Sequence, residues 1–126
     1  MAEFGYEKLG VWKLGMDLVE AVYRVTRRFP RDEQFGLTSQ LRRSAVSIPA
    51  NIAEGYGRGS KASLANFCRI AQGSLFELRT ELEVALRTEV ASAEELKPLQ
   101  GMAVELSRML DGFIRSLKPD STSENC

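Results

Sequence analysis

The sequence predicts an all-α fold, an antiparallel up-down four-helix bundle in which the second helix is kinked at a proline. Four segments repeat apolar residues at three- and four-residue spacing, and the connections between them are short. No segment shows the strict alternation of a β-strand. A chain of 126 residues suits one hydrophobic core. We therefore expect a single domain over residues 1–117, followed by a disordered tail over residues 118–126.

Helix 1 is expected over residues 11–29, because Pro30 cannot continue a helix. This segment carries two apolar rows about 100° apart, whereas a surface helix needs only one. Helix 1 is therefore either central in the domain or shared with another subunit. One row is Trp12, Met16, Val19 and Tyr23, and the other is Val11, Leu14, Leu18, Ala21 and Val25.

Helix 2 is expected from Leu37 or Thr38 to Glu54, with Pro49 in its interior. An interior proline costs about 3 kcal/mol, so tertiary packing must offset it. We favour one kinked helix, because its apolar face stays in phase across the proline. The alternative is a new helix capped by Ser47, with Pro49 in its first turn. The inner face consists of Leu41, Ala45, Ile48 and Ile52.

Helices 3 and 4 have clear start signals and continuous heptad seams. Ser60 is the expected N-cap of helix 3, which continues to about Thr88. Ser92 and Glu95 predict a capping box for helix 4, which ends at Lys118. The seams are Leu64, Cys68, Ala71, Leu75, Leu78, Leu82 and Ala85 on helix 3, and Leu96, Leu99, Ala103, Leu106, Leu110, Phe113 and Leu117 on helix 4.

The composition argues against catalysis, because the chain has no histidine. Di-iron bundle sites, zinc hydrolase sites and serine–histidine or cysteine–histidine nucleophiles all need an imidazole. No Ser-x-x-Lys spacing occurs either. We expect no enzyme activity, metal or cofactor. With no long apolar run, no signal peptide and only Cys68 and Cys126 as cysteines, we expect a cytoplasmic protein that does not enter a membrane.

Residues 47–60, SIPANIAEGYGRGS, interrupt this regular pattern. Ser47, Asn51, Glu54 and Arg58 follow at four-, three- and four-residue spacing and form a polar row if the helix persists. This row is either a ligand site or a set of inter-subunit hydrogen bonds. Alternatively it is a solvated helix edge, in which Asn51 and Glu54 bond the backbone that Pro49 leaves unpaired.

The three glycines that follow, at positions 55, 57 and 59, lack the spacing and preceding strand of a dinucleotide-binding fingerprint. Gly55 or Gly57 is expected to adopt the left-handed conformation that closes helix 2. A phosphate bound at the start of helix 3 stays an alternative, with Arg58 and Lys61 beside the helix dipole.

A second group of small residues, Ala71, Gly73 and Ser74, lies inside helix 3. Glycine in a helix costs about 1 kcal/mol relative to alanine, so we expect close approach of a neighbouring helix there. On that basis Gly73→Leu disrupts packing. Glu77, one turn further on, is expected to reach a polar group on helix 2. The alternative is a tolerated weak point on the surface.

The basic side chains are the candidates for nucleic-acid contacts. The net charge is zero, but residues 1–61 hold ten basic and seven acidic side chains, a net charge of +3. Helix-dipole effects and local pairs four residues apart explain some of these charges without any ligand. The candidates are Arg42 and Arg43, the group Arg24, Arg27, Arg28 and Arg31, and Arg58 with Lys61.

Several of these segments resemble the family of 23S rRNA-intervening-sequence proteins. The matching motifs are Val-Trp-Lys at residues 11–13, Phe-Pro at 29–30, Gln-Leu-Arg-Arg at 40–43, SIPANIAEG at 47–55 and Gly-Ser-Leu-x-Glu-Leu at 73–78. The resemblance runs from about Tyr6 to Leu117 and therefore covers nearly the whole predicted bundle.

The resemblance implies an antiparallel bundle that assembles into a ring-like homopentamer and has no established enzyme activity. Similar proteins accompany the reverse transcriptases of retroelements and are thought to bind nucleic acid. It also implies that Asn51 and Glu54 organise an interface. Candidates for structural or interface roles are Val11, Leu14, Leu18, Val25, Pro49, Asn51, Glu54, Gly55, Gly73, Ser74 and Glu77.

Two functions follow from these observations. The first is a non-enzymatic, self-assembling bundle that binds RNA or DNA through basic side chains, without sequence specificity. The alternative is an oligomeric scaffold that docks a partner protein and binds no nucleic acid.

Overall fold

The computed structural model describes residues 5–118, and in this range the chain is all-α. The predicted tail over residues 118–126 lies outside the described residues except for Lys118, which is exposed. Short 3₁₀ turns occur at Gly5–Lys8 and Arg31–Glu33. The four helices are α1 (Gly10–Thr26), α2 (Leu37–Gly57), α3 (Lys61–Arg87) and α4 (Ala93–Ser116).

The four helices form a closed ring of neighbours. Close backbone approaches join α1 to α2, α2 to α3, α3 to α4 and α4 to α1, and no Cα atoms of a diagonal pair lie within 8 Å of each other in residues 5–118. Between α2 and α3 the contacts run in opposite chain order, from Ser47 with Ser74 to Gly55 with Phe67. These two helices therefore run in opposite directions, as the three residues that connect them favour.

One hydrophobic core lies on the axis of the bundle, and both predicted heptad seams supply it. Every seam residue is buried except Phe113 and Leu117, which are half-buried at the end of α4. Full burial of one such aliphatic side chain stabilises the fold by about 1.5–3 kcal/mol. The largest side chains without exposed surface are Leu18, Leu41, Ile48, Ile52, Leu75, Leu78, Leu82, Leu96, Leu106 and Leu110.

The two apolar rows of α1 are covered to different extents. Val11, Leu18 and Ala21 are buried in the core, whereas Leu14 and Val25 are half-buried. Val11 and Leu18 are therefore core residues, which agrees with the structural alternative for these two candidates and leaves no exposed surface for an interface role. In the other row Trp12, Val19 and Tyr23 are half-buried and Met16 is exposed.

Helix α2 is continuous across Pro49, so a separate helix starting at Ser47 is excluded. Pro49 is buried against α1, where it lies 3.6 Å from the position of a Cβ on Gly15. This contact is the kind of tertiary packing that offsets an interior proline. The kink at Pro49 stays a prediction.

Two helix ends differ from those predicted, and so does the left-handed residue that follows α2. Helix α1 ends at Thr26 rather than at residue 29, and Phe29 is buried in the turn that follows. Helix α2 ends at Gly57 rather than at Glu54. The left-handed residue after it is Gly59, with φ of 83°, so the expectation of Gly55 or Gly57 is wrong.

The starts of α3 and α4 confirm their predicted caps. The Ser60 hydroxyl accepts the N–H of Ser63 at 3.1 Å. The Ser92 hydroxyl accepts the N–H of Glu95 at 3.1 Å, and the Glu95 carboxylate accepts the N–H of Ser92 at 3.0 Å. Both hydrogen bonds of the capping box are therefore formed. The hydrogen bonds that the Glu95 carboxylate accepts from the Ser92 N–H and from the Ser92 hydroxyl lower the pKa of Glu95.

Candidate nucleic-acid interface

Arg42 joins two groups of arginines that lie apart in the sequence. Its guanidinium carbon lies 4.4 Å from the centroid of the Tyr23 ring, and its Nε donates to Thr26 Oγ1 at 2.9 Å. Thr26 is buried and donates in turn to the carbonyl of Val22 at 2.7 Å. The start of α2 is thereby held against the end of α1, where Arg24 and Arg27 also lie.

A groove of about 380 Å³ runs along the outer side of α1, and two arginines contribute to its lining. Its walls include Val19, Glu20 and Tyr23, and Arg24 and Arg27 lie at its edge. Because Arg42 covers the Tyr23 ring, the groove and the start of α2 form one surface. We call this set the arginine cluster: Arg24, Arg27, Arg28, Arg31, Arg42 and Arg43.

Most members of the arginine cluster have side chains free to contact a ligand. Arg28 Nη1 lies 4.0 Å from Glu95 Oε2, a long ion pair that is 78% exposed on the arginine side. The Arg42 side chain is held by its cation–π contact with Tyr23 and its hydrogen bond to Thr26. The other four have exposed side chains that make no hydrogen bond or ion pair within the described range 5–118: Arg24, Arg27, Arg31 and Arg43.

Carboxylates reduce, but do not cancel, the positive charge here. Residues 24–43 contain six basic and two acidic side chains, a net charge of +4. Glu20 lines the groove, and Asp32 is exposed in the connection between α1 and α2. The Glu33 carboxylate accepts the N–H of Leu37 at 3.3 Å, so its negative charge interacts with the N-terminus of α2. The surface is locally basic although the chain is neutral.

Arg58 and Lys61 lie apart from the arginine cluster, at the other end of α2. Sixteen residues of helix separate Arg42 from Arg58, which corresponds to about 24 Å. Arg58 is paired with Glu54 at 3.0 Å and lies 5.0 Å over the Phe67 ring. The Ser60 side chain already occupies one N–H at the start of α3. The alternative of a phosphate site there receives no support from this geometry.

The predicted polar row of α2 divides into two parts. Ser47 shares a hydrogen bond of 2.8 Å with Ser74 on α3, and Asn51 Nδ2 donates to the Ser47 carbonyl at 2.8 Å and to its hydroxyl at 3.0 Å. Glu54 and Arg58 pair with each other in solvent. The carbonyl that loses its donor at Pro49 belongs to Ala45, so Asn51 bonds a different carbonyl from the one expected.

Glu77 reaches helix α2, as expected. The Ser44 hydroxyl donates to Glu77 Oε2 at 3.4 Å, and Ser44 is buried. Glu81, one turn further along α3, has a buried Oε1 with no hydrogen-bond partner within the described part of the chain. Burial raises the pKa of Glu81, the Ser44 hydroxyl opposes the rise, and the Glu77 carboxylate adds to it.

The two small residues singled out in the sequence have opposite environments. A Cβ at Gly55 would lie 2.6 Å from Phe67 Cβ and 3.2 Å from Leu64 Cα, so close approach of α3 requires glycine there. Gly73 is exposed, and a Cβ there would meet nothing within 4 Å. The expected approach of a helix of the same chain to Gly73 is wrong, and within the chain this position lies open on the surface of α3.

Two features of the structure carry no clear sequence signal. Tyr23 and Thr26 hold Arg42, a contact that depends on how α1 and α2 pack. The segment before α1 also folds onto the bundle, where the Tyr6 ring lies 5.4 Å from Trp12 and 6.4 Å from Tyr56 between ring centroids. The position of these aromatic residues in the sequence does not indicate which rings will meet.

The described residues offer little for metal chemistry or membrane insertion. No group of three or more histidine, cysteine, aspartate or glutamate side chains in residues 5–118 is placed to hold a metal ion. None of the four helices is long and apolar enough to cross a membrane. Cys68 is buried in the core, and burial raises the pKa of its thiol to about 11.

A comparison with known protein families identifies the family of the chain. The model of the family described as 23S rRNA-intervening sequence protein matches residues 7–112. The chain belongs to this family. The matched range contains all of the arginine cluster and the polar contacts between α2 and α3. No curated protein matches the chain.

A solved structure supports the fold of this family member. A crystal structure of a protein with unknown function from the S23 ribosomal protein family of Bacteroides thetaiotaomicron VPI-5482 aligns with a TM-score of 0.77. The two sequences are 24% identical, and the alignment covers 83% of this chain and 95% of the other. The similarity establishes the fold alone.

Proposed function

We propose that this chain is a non-enzymatic, self-assembling bundle protein of the cytoplasm that binds RNA or DNA through the arginine cluster. The observation that carries the proposal is that the side chains of Arg24, Arg27, Arg31 and Arg43, at the end of α1, in the connection and near the start of α2, are exposed without counter-ions within residues 5–118. Bound phosphates would supply the missing negative charge. Such contacts are independent of sequence and release condensed counterions, so binding weakens with salt.

The arginine cluster suits phosphates better than a single carboxylate ligand. Its free members come from two helices and the turn between them, so they cover an extended surface rather than a pocket. Guanidinium groups bind phosphate oxygens with paired hydrogen bonds, which gives each contact a defined geometry. An extended row of such groups matches the repeated phosphates of a nucleic-acid backbone.

A matched pair of variants tests the proposal. Arg27→Ala/Arg43→Ala removes two free members of the arginine cluster, and Arg69→Ala/Arg108→Ala removes the same charge from exposed positions on α3 and α4. We expect the first variant to bind labelled RNA at least tenfold more weakly at low salt, and the second to retain most of the affinity. Equal losses would show that only the net charge matters, and the proposed site would be rejected.

A second candidate, the oligomeric scaffold, is favoured by a different surface. On α3 the side chains of Ile70, Phe76 and Val84 are 47%, 51% and 43% exposed. Apolar groups exposed on one helix are typical of a surface that a partner covers. The open position of Gly73 lets another helix approach closely there. The family resemblance implies a homopentamer, and a reverse transcriptase as one possible partner protein.

A measurement of the mass of the particle in solution distinguishes self-association from docking of a partner protein. We expect light scattering at micromolar concentration to give a homo-oligomer, and Ile70→Glu/Val84→Glu to lower its mass. A wild-type monomer would contradict self-assembly. An oligomer whose mass survives this double substitution would leave the α3 surface available for a partner protein.

A further inference from the structure

Two phenylalanines in the connection between α1 and α2 have opposite environments. Phe29 is 8% exposed and anchors the connection to the core. Phe35 is 90% exposed, far more than any other large apolar side chain in the described residues. Leaving such a ring in water forgoes about 1.5–3 kcal/mol of burial. Nothing within the chain therefore explains why position 35 carries an aromatic residue.

The backbone around Phe35 is ordered rather than loose. The N–H of Gln34 donates to the Arg31 carbonyl at 3.1 Å, and the N–H of Gly36 donates to the Glu33 carbonyl at 3.1 Å. Leu37, two residues on, is buried as the first residue of α2. The turn therefore presents the Phe35 ring from a fixed base at the end of the bundle.

The same connection contributes half of the arginine cluster. Arg27, Arg28 and Arg31 are exposed in residues 27–36, the segment that also contains Phe35. The backbone hydrogen bond between Gln34 and Arg31 forms one turn that ends directly before Phe35, and the exposed Arg31 side chain makes no hydrogen bond or ion pair within residues 5–118. An exposed ring beside several cations is the combination with which proteins bind single strands, since bases stack on the ring while cations follow the phosphates.

We propose that the nucleic acid bound by this protein is single-stranded, and that Phe35 stacks on one of its unpaired bases. This inference rests on the proposed phosphate-binding function of the arginine cluster and adds the class of ligand. A duplex keeps its bases stacked on each other, so its phosphates contact the arginines while Phe35 gains nothing. Unpaired bases have open faces, and every base offers one, so stacking requires no sequence preference.

The test compares Phe35→Ala with Phe76→Ala, which removes a half-exposed phenylalanine on α3, away from the arginine cluster. Three labelled probes of similar charge are a single-stranded oligouridylate, an RNA duplex of the same length and inorganic polyphosphate. We expect Phe35→Ala to weaken binding of the single strand roughly fivefold or more. A fivefold loss corresponds to the lower end of the free-energy range for stacking one base. Binding of the duplex and of polyphosphate to Phe35→Ala should not change. Phe76→Ala, which alters the α3 surface considered for self-association, should affect binding of all three probes equally or not at all.

A substitution that keeps an aromatic ring at position 35 provides a second test. Phe35→Trp should retain affinity for the single strand, and stacking should quench its fluorescence when measured in a Trp12→Phe background. Equal affinity of Phe35→Ala and wild type for the single strand would overturn the inference while leaving phosphate binding intact. A drop in oligomer mass with unchanged affinity would also overturn it, because Phe35 would then contact protein. Absence of binding to all three probes would reject the phosphate-binding function itself.

Discussion

Arg42 lies with its guanidinium carbon 4.4 Å above the ring of Tyr23, so an arginine expected to face a ligand is instead part of the contact between α1 and α2. Its Nε also donates to Thr26, which leaves the two terminal nitrogens of the guanidinium outside that bond. Arg43, the next residue, is exposed and has no such role. Two neighbouring arginines in one motif therefore have different functions.

This difference is measurable by single substitutions. Arg42→Ala should lower the free energy of unfolding by about 1–2 kcal/mol, because it removes a side-chain hydrogen bond and a cation–π contact. Arg43→Ala should change stability by less than about 0.5 kcal/mol, as is usual for an exposed site. Chemical denaturation followed by circular dichroism gives both values. Equal stability of the two variants would contradict the assigned role of Arg42.

The hydrogen bond between Ser47 and Ser74 should contribute to the packing of α2 against α3. A double-mutant cycle with Ser47→Ala and Ser74→Ala is expected to give a coupling of about 0.5–1.5 kcal/mol, the net contribution of one hydrogen bond. Ser47→Ala combined with Ser116→Ala is the control, because Ser116 bonds only the Phe113 carbonyl. Additive effects in both cycles would show that the 2.8 Å contact contributes nothing to stability.

Two glycine-to-alanine substitutions should have opposite effects. Gly55→Ala should lower the free energy of unfolding by about 1–3 kcal/mol, because the new methyl group collides with Phe67 Cβ and with the α3 backbone. Gly73→Ala should raise it by about 0.5–1 kcal/mol, since alanine is the better helix former and the site is open. Thermal unfolding of the two variants provides the comparison. Destabilisation by Gly73→Ala would indicate that another chain covers this position.

Glu81 should make stability depend on pH. Its pKa in the folded protein lies above the ordinary value of 4.5, so the folded state holds this proton more tightly than the unfolded state. Its contribution is therefore present below pH 4.5 and is lost as pH rises through the raised pKa. Glu81→Gln should increase the free energy of unfolding by about 1 kcal/mol at neutral pH, because it removes the charge from an unpartnered buried oxygen.

Measuring the free energy of unfolding over a range of pH shows whether the burial of Glu81 causes the increase expected for Glu81→Gln. The advantage of Glu81→Gln over wild type should shrink as pH falls toward 4.5. Glu83→Gln is the control, since Glu83 is paired with Arg87 at 3.0 Å on the same helix. If Glu81→Gln and Glu83→Gln had the same pH profile, burial at Glu81 would not be the cause.

Features with local causes could be predicted from the sequence. The caps at Ser60 and Ser92 involve atoms three residues apart, and both formed as expected. The heptad seams also follow from spacing along one helix, and the core confirms them. The four-helix fold follows from these signals together, because each amphipathic segment must bury one face.

Features with tertiary causes could not be predicted. Gly55 and Gly73 look alike in the sequence, yet only Gly55 meets another helix. Gly55 was expected to end α2 because glycine commonly closes helices, whereas here it lies buried inside the last turns and Gly59 provides the left-handed conformation. Similarly, the separation of Arg42 from the other basic candidates depends on which side of α2 meets α1.

The most direct test of the account is the salt dependence of binding to a labelled single-stranded RNA by the wild type and by Arg27→Ala/Arg43→Ala. The slope of log affinity against log salt is negative. If each arginine contacts one phosphate, the magnitude of this slope should fall by roughly 0.7 for each contact removed. A wild type that binds with a steep slope, and a variant with a smaller one, is the predicted result. No binding at low salt, or the same slope for both proteins, would contradict a phosphate-binding role for the arginine cluster.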